Sequence, residues 1–170
     1  KCEPKGTTAA SLAKCDLVFI CVPTPMDPDG TCNTSIVEDA CKEMKNHVRP
    51  DKLVIRSTVP VGTARYLETS FMPEFLTEAN WEEDVKTCKD WLVGLRDVNN
   101  QALKGKFFHL FDLAYRSRRV CWPYPTLMNV EEAELVKTAK NSFLAVKVSF
   151  FNEVEEFCRS EGLEYETVRQ

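Results

Sequence analysis

Two short apolar runs separated by a helical pattern constrain the fold of this 170-residue chain most strongly. The first run, at 16–22, is Asp-Leu-Val-Phe-Ile-Cys-Val, and the second, at 52–58, contains Leu53-Val54-Ile55. Between them, Ser35-Ile-Val-Glu38 fits a capping box that begins an amphipathic helix ending near His47. Continuous apolar runs of strand length are typical of buried strands, and their alternation with helices predicts an α/β fold with a parallel sheet.

The following residues continue this alternation. Apolar patterns bounded by Gly, Pro and Asp predict a short helix over 63–71, a strand near 91–95, a helix over 99–115 and a strand at 119–122.

A long stretch at 130–161 contains neither Gly nor Pro. Apolar side chains recur there at intervals of three and four, at Val136, Ala139, Phe143, Val146, Phe150, Val154 and Phe157. This spacing predicts a helix of about 30 residues and about 45 Å. A second apolar line is formed by Leu144, Val148, Phe151 and Cys158. The helix therefore has two apolar faces that other protein surfaces must bury. We therefore expect a homodimer along this helix, or burial of the helix under a further domain.

Composition excludes several classes of protein. With 22 Lys and Arg against 26 Asp and Glu the net charge is −4, and no basic run favours nucleic-acid binding. The apolar runs are too short to cross a membrane. Eight Cys and two His include no C-x-x-C pair, so we predict no metal site. We expect reduced thiols in a cytoplasmic protein, with Cys21 and Cys158 as small buried hydrophobic residues.

Three groups of residues have the character of a ligand site. Val22-Pro-Thr-Pro25 and Arg56-Ser-Thr-Val-Pro-Val-Gly62 follow the two strands, and ligands of open α/β sheets bind beyond the carboxyl ends of strands. Thr24, Ser57 and Thr58 are therefore placed to meet a nucleotide. On a helix, Glu74 and Glu78 would share one face, as would Lys137 and Asn141, and could supply a general base and an oxyanion partner. The same residues also fit turns, solvated carboxylates and a surface lysine, and pattern alone leaves this open.

Four motifs in order resemble a known family. They are Asp16-Leu-Val-Phe-Ile-Cys-Val-Pro-Thr-Pro25, Arg56-Ser-Thr-Val-Pro-Val-Gly-Thr63, Pro73-Glu-Phe-Leu-Thr-Glu78 and Ala133-Glu-Leu-Val-Lys-Thr-Ala-Lys-Asn-Ser-Phe-Leu-Ala145. Together they resemble the UDP-glucose/GDP-mannose dehydrogenase family. The resemblance implies part of a Rossmann-like, doubly wound NAD-binding domain at 1–128, followed by the start of a helical central dimerisation domain at 129–170.

The resemblance also implies an activity and residue roles. Members oxidise a nucleotide sugar with two NAD⁺ through thiohemiacetal and thioester stages, here UDP-glucose to UDP-glucuronate. The catalytic residues would be Thr58, Glu74, Glu78, Lys137 and Asn141. Contacts to NAD would come from Val22, Pro23, Thr24, Pro25, Met26, Ser57, Thr58 and Glu78. Contacts to the nucleotide sugar would come from Glu74, Phe75, Leu76, Thr77, Glu78, Lys137 and Asn141.

Two family motifs do not occur in the sequence. The glycine-rich phosphate-binding turn would precede Lys1 and the nucleophilic Cys would follow Gln170, so we expect the middle of a longer enzyme that is inactive by itself. Met72 and Thr77 also replace the usual Asn and Arg or Lys of the third motif. The alternatives are a family member acting on GDP-mannose or a UDP-N-acetylhexosamine, and a non-catalytic scaffold or dimerisation module.

Overall fold

A computed structural model describes residues 9–77 and 79–170 of the chain. It forms two compact units, Lys1–Lys137 and Thr138–Gln170. The strands are β1 (Val18–Ile20), β2 (Leu53–Ile55), β3 (Ser70–Phe71), β4 (Leu92–Leu95) and β5 (Thr126–Asn129). The helices of the first unit are α1 (Ala9–Leu12), α2 (Ser35–Lys45), a 3₁₀ turn (Pro50–Lys52), α3 (Thr63–Tyr66), α4 (Trp81–Thr87) and α5 (Gln101–Arg116). Helix α6 (Val130–Glu161) begins in the first unit and continues in the second, which also contains α7 (Tyr165–Val168).

The five strands form one mostly parallel sheet in the order β1-β2-β3-β4-β5. Strands β1, β2 and β3 are parallel, with Phe19 beside Val54 and Ile55 beside Phe71. Strand β4 is antiparallel to β3 and parallel to β5. The predicted α/β class with a long helix is confirmed, but the sheet is mixed because the chain reverses direction between β3 and β4.

Side chains that alternate along the strands separate the core into two clusters. Ile20, Ile55 and Phe71 belong to one cluster, with α2, α3 and the start of α6. Val54 and Val93 belong to the other, with α5. Because successive side chains of a strand point to opposite faces, the helices cover both sides of the sheet. This is the doubly wound arrangement expected from the sequence.

Gly94 allows α6 to begin directly against the sheet. A Cβ atom at this position would lie 2.8 Å from Val130 Cα and 2.9 Å from Ala133 Cβ. Both distances are shorter than side chains tolerate, so only glycine fits this contact. Strand β5 ends at Asn129 and α6 begins at Val130 without a connecting loop.

The reversal of β4 and β5 sets the direction of α6 across the sheet. These strands run opposite to β1, β2 and β3, so α6 begins at the edge where β1, β2 and β3 begin. At 1.5 Å per residue, the seven residues from Val130 to Lys137 advance about 10 Å. This rise brings Lys137 to Glu74, beyond the carboxyl end of β3.

The second unit is almost entirely exposed. Residues 141–150 are all exposed, and they include Phe143 and Phe150 at 71% and 60% exposure. Cys158 is buried, at 2% exposure. Among the described helices, none combines the length and the apolar character that a membrane span requires.

Several local expectations are wrong. The strand expected at 119–122 is loop, and β5 lies at Thr126–Asn129 instead. The helix expected over 63–71 ends at Tyr66 and is followed by β3. Cys21 is exposed because β1 ends at Ile20 and Cys21 belongs to the following loop.

Candidate functional site

Ser57 connects the ends of β1 and β2 through its hydroxyl group. The hydroxyl donates to the Val22 carbonyl at 2.6 Å and accepts the Val22 N–H at 2.9 Å. Ser57 is 9% exposed, so this short side chain is committed to the backbone rather than open to solvent. It therefore fixes the backbone of Val22, in the loop after β1, through both the N–H and the carbonyl of that residue.

The loop after β1 and the end of β2 present polar groups beyond the sheet edge. Pro23, Pro25 and Thr58 are exposed and Thr24 is half-buried. The Thr58 carbonyl accepts a weak hydrogen bond from the Cys32 thiol at 3.7 Å. Hydroxyls and a fixed backbone at the carboxyl ends of parallel strands fit a nucleotide such as NAD. The sequence contains no G-x-G-x-x-G turn.

Glu74 lies at the centre of a second group of charges. Arg56 Nη2 lies 3.2 Å from Glu74 Oε2, and the Arg56 side chain is only 16% exposed. Lys137 Nζ donates to the Glu74 carbonyl at 2.5 Å and lies 5.4 Å from the centre of the Phe75 ring. A carboxylate, an ammonium and a guanidinium therefore meet at the carboxyl edge of β2 and β3.

Some predicted site residues differ from expectation in their placement. Residues 72–77 have no helical structure, so the helical face expected to join Glu74 to Glu78 does not form, and Glu78 itself lies outside the described residues. Thr77 donates through its hydroxyl at 2.7 Å and through its N–H at 2.8 Å to one carboxylate oxygen of Asp84. These bonds hold the pKa of Asp84 below its usual range. Leu76 is half-buried, Met26 is 77% exposed and Asn141 lies in the second unit.

Sequence reasoning missed Glu134. Its side chain is fully buried, yet its two oxygens accept the N–H groups of Gly62 and Ala64 at 2.6 and 2.7 Å. Burial raises the pKa of Glu134, and the two backbone hydrogen bonds oppose this shift. A sequence signal existed, because Glu134 lies at helical spacing from the buried Val130 and so on the core-facing side of α6.

These features define an open α/β fold with a candidate nucleotide site at the carboxyl edge of its sheet. Residues 4–112 match the NAD binding domain of the UDP-glucose/GDP-mannose dehydrogenase family, and residues 131–170 match its central domain. The chain belongs to this family, and NAD is the cofactor of the domain that residues 4–112 represent.

Named relatives agree with this assignment. The chain is 31% identical over 172 residues to UDP-glucose 6-dehydrogenase YwqF of Bacillus subtilis, an alignment that covers 92% of the chain and 37% of YwqF. A UDP-glucose dehydrogenase from Pyrobaculum islandicum has 29% identity and a TM-score of 0.76, over 96% of this chain and 40% of that one. GDP-mannose dehydrogenase from Pseudomonas aeruginosa also has a TM-score of 0.76, over 95% and 39% of the two chains, and at 24% identity it supports the fold alone. The chain thus spans about two fifths of these relatives.

Proposed function

We propose that this chain supplies part of the active site of a nucleotide-sugar 6-dehydrogenase that oxidises UDP-glucose to UDP-glucuronate with two NAD⁺. The meeting of Lys137, Arg56 and Glu74 at the edge beside Ser57 and Thr58 carries this proposal. The names of the relatives favour UDP-glucose, while GDP-mannose and a UDP-N-acetylhexosamine are the alternative substrates. The division into an NAD-binding part at 1–128 and a central part at 129–170 belongs to the same proposal.

Each residue group has a separate task in this proposal. The loop 22–26, fixed by Ser57, holds NAD together with Thr58, and NAD when bound accepts hydride from the sugar. The Lys137 ammonium, which already donates to the Glu74 carbonyl, stabilises negative charge that develops on the sugar C6 oxygen. The Glu74 carboxylate, oriented by Arg56, acts as the general base that removes a proton from the water that hydrolyses the thioester. By resemblance to the family, further contacts to the nucleotide sugar come from Phe75, Leu76, Thr77, Glu78 and Asn141.

Lys137→Ala tests this function in the natural gene product that contains residues 1–170. We expect kcat for UDP-glucose oxidation, measured as NADH absorbance, to fall by roughly 10²–10³-fold, because a preorganised donor to the oxyanion is lost. Lys140→Ala, three residues further along α6, is the matched control and should keep wild-type kcat. An unchanged kcat in Lys137→Ala would contradict the proposed role, and the kcat/KM values for the three nucleotide sugars identify the substrate.

The sequence itself suggests a limit to the activity of residues 1–170. Without a glycine-rich turn or a cysteine in the family's nucleophile motif, we propose that these residues do not turn over substrate by themselves. NADH formation by the purified 170-residue chain with UDP-glucose at the rate of a complete enzyme would contradict this.

We also propose that the second unit forms a homodimer contact through α6. The support is the row of exposed apolar side chains, including Phe143 at 71% and Val146 at 66% exposure. Sedimentation equilibrium tests this proposal, since a monomer at all concentrations would contradict it. A non-catalytic dimerisation module would form its dimer through the same exposed apolar surface of α6.

A further inference from the structure

Glu134 is an unusual residue in the first unit because its carboxylate has no exposed surface. A buried carboxylate is costly unless hydrogen bonds replace its water. Here both oxygens are used, one by the Gly62 N–H and the other by the Ala64 N–H. The two donors belong to the segment that follows Ser57 and Thr58, so Glu134 joins α6 to the part of the chain that extends β2.

The backbone of this segment is shaped for that contact. Gly62 has φ of 97°, in the left-handed region that side chains with a Cβ disfavour. Val59 and Ala64 on either side are buried, at 2% and 0% exposure. The segment therefore has little freedom to move away from the Glu134 carboxylate.

Lys137 lies three residues after Glu134 and hence on the same side of the helix. Its ammonium donates to the Glu74 carbonyl. The two bonds at Glu134 resist both rotation and sliding of α6, because either movement would lengthen at least one of them. The ion pair of Arg65 with Glu131 lies about one turn earlier on α6. Both side chains are substantially exposed, and exposed ion pairs contribute little to stability.

We propose that Glu134 is a positioning residue that holds Lys137 in its place beside Glu74. This inference depends on the proposed role of Lys137 in the oxidation, and it assigns to Glu134 no contact with the substrate or with NAD. Glu134 acts by fixing the rotation of the first two turns of α6 relative to the start of α3.

Glu134→Gln tests the proposal in the natural gene product that contains residues 1–170. Glutamine keeps the size of the side chain, but its amide N–H₂ faces one of the two backbone N–H donors, so one of the two bonds is lost. We expect kcat to fall by roughly tenfold, since a misplacement of about 1 Å can cost up to 10²-fold, while KM stays within about twofold. Glu131→Gln, the same change one turn earlier at an exposed position, should keep wild-type kcat.

A double-mutant cycle with Lys137→Ala separates positioning from general support of the fold. If Glu134 acts through Lys137, Glu134→Gln lowers kcat by less than about twofold in the Lys137→Ala background. An equal fold-loss in both backgrounds overturns the proposal, because the effect would then be independent of Lys137.

Nuclear magnetic resonance of the Lys137 ammonium gives a readout that does not depend on activity. In the 170-residue chain we expect its chemical shift to change in Glu134→Gln and not in Glu131→Gln, and an unchanged shift overturns the proposal even where enzyme assays fail. An unchanged kcat in Lys137→Ala together with a changed ammonium shift would count against the proposed function while supporting the positioning. If Glu134→Gln does not fold, Glu134→Asp, which keeps both acceptors on a shorter side chain, replaces it in both measurements.

Discussion

The first two turns of α6 and the turns that follow have the same helical backbone but very different surroundings. In the first unit, Val130, Ala133 and Glu134 are fully buried. In the second unit, residues 141–150 are all exposed. The difference shows that a periodic apolar pattern determines where a helix forms but not which part of it the same chain covers.

The two regions also differ in how polar groups are used. The buried start of α6 makes hydrogen bonds through Glu134 to Gly62 and Ala64. In the second unit, Arg159 forms an ion pair with Glu155, one turn earlier on the same helix, and both side chains are partly exposed. A buried side chain such as Glu134 fixes the helix against the rest of the fold. An ion pair within one helix, such as Arg159 with Glu155, mainly stabilises that helix.

The sharpest test of this difference is one substitution made in each unit. Phe107→Ala should lower the free energy of unfolding by about 3–5 kcal/mol, because Phe107 is fully buried on α5 and its loss leaves a cavity. Phe143→Ala should change it by less than about 0.5 kcal/mol at low protein concentration. Urea denaturation measures both. Equal losses would contradict the comparison, and a loss for Phe143→Ala that grows with protein concentration would show that a second copy covers this side chain.

Alanine substitutions at two separate glycines test the contact between the sheet and the start of α6. Gly94→Ala should cost about 1–3 kcal/mol, because its Cβ would lie 2.8 Å from the Val130 backbone. Gly105→Ala is the matched control, since no atom lies within 4 Å of a Cβ at this exposed position of α5. It should stabilise the protein by about 0.5–1 kcal/mol. Thermal unfolding measures both changes, and a neutral Gly94→Ala would show that α6 is not held against β4.

The smallest expected effect concerns the exposed ion pair of Arg65 with Glu131. The hydrogen bond from Arg65 holds the pKa of the Glu131 carboxyl below its ordinary value. Between the lowered pKa of the folded state and the ordinary pKa of the unfolded state, the unfolded chain binds more protons. The ion pair therefore stabilises the fold fully above the ordinary pKa, and this stabilisation is lost as pH falls through the lowered pKa. The melting temperature of Glu131→Gln should therefore differ slightly from wild type near neutral pH, and the difference should disappear in acid. A difference that is constant with pH would contradict this.

The elements with long patterns were predictable from the sequence. Helix α6 has the predicted limits, and β1, β2, α2 and α5 lie within a few residues of theirs. Strand β3 has only two residues, too few for any periodicity to appear. Strand β5 follows Pro123 and Pro125. These prolines predict a loop, and the expected strand was therefore assigned to the residues before them, at 119–122. The direction of β4 depends on tertiary contacts that no local pattern encodes.

The sequence predicted which candidate site residues follow a strand, but not the contacts that they make. The position of Ser57 after a strand predicted a contact with a ligand, but its hydroxyl forms hydrogen bonds to the Val22 backbone. The spacing of Glu74 and Glu78 suggested a helix, and residues 72–77 do not form one. Glu134 was overlooked because a glutamate on a helix is ordinarily assigned to the solvent side.

The direct passage from β5 into α6 has a consequence for insertions and deletions. One residue added between Asn129 and Lys137 would rotate all later side chains by about 100° and displace them by about 1.5 Å along the axis. Such a change would turn the ammonium of Lys137 away from Glu74 even if every side chain were retained. Homologous proteins are therefore expected to keep the number of residues in this interval constant, whatever substitutions they accept within it.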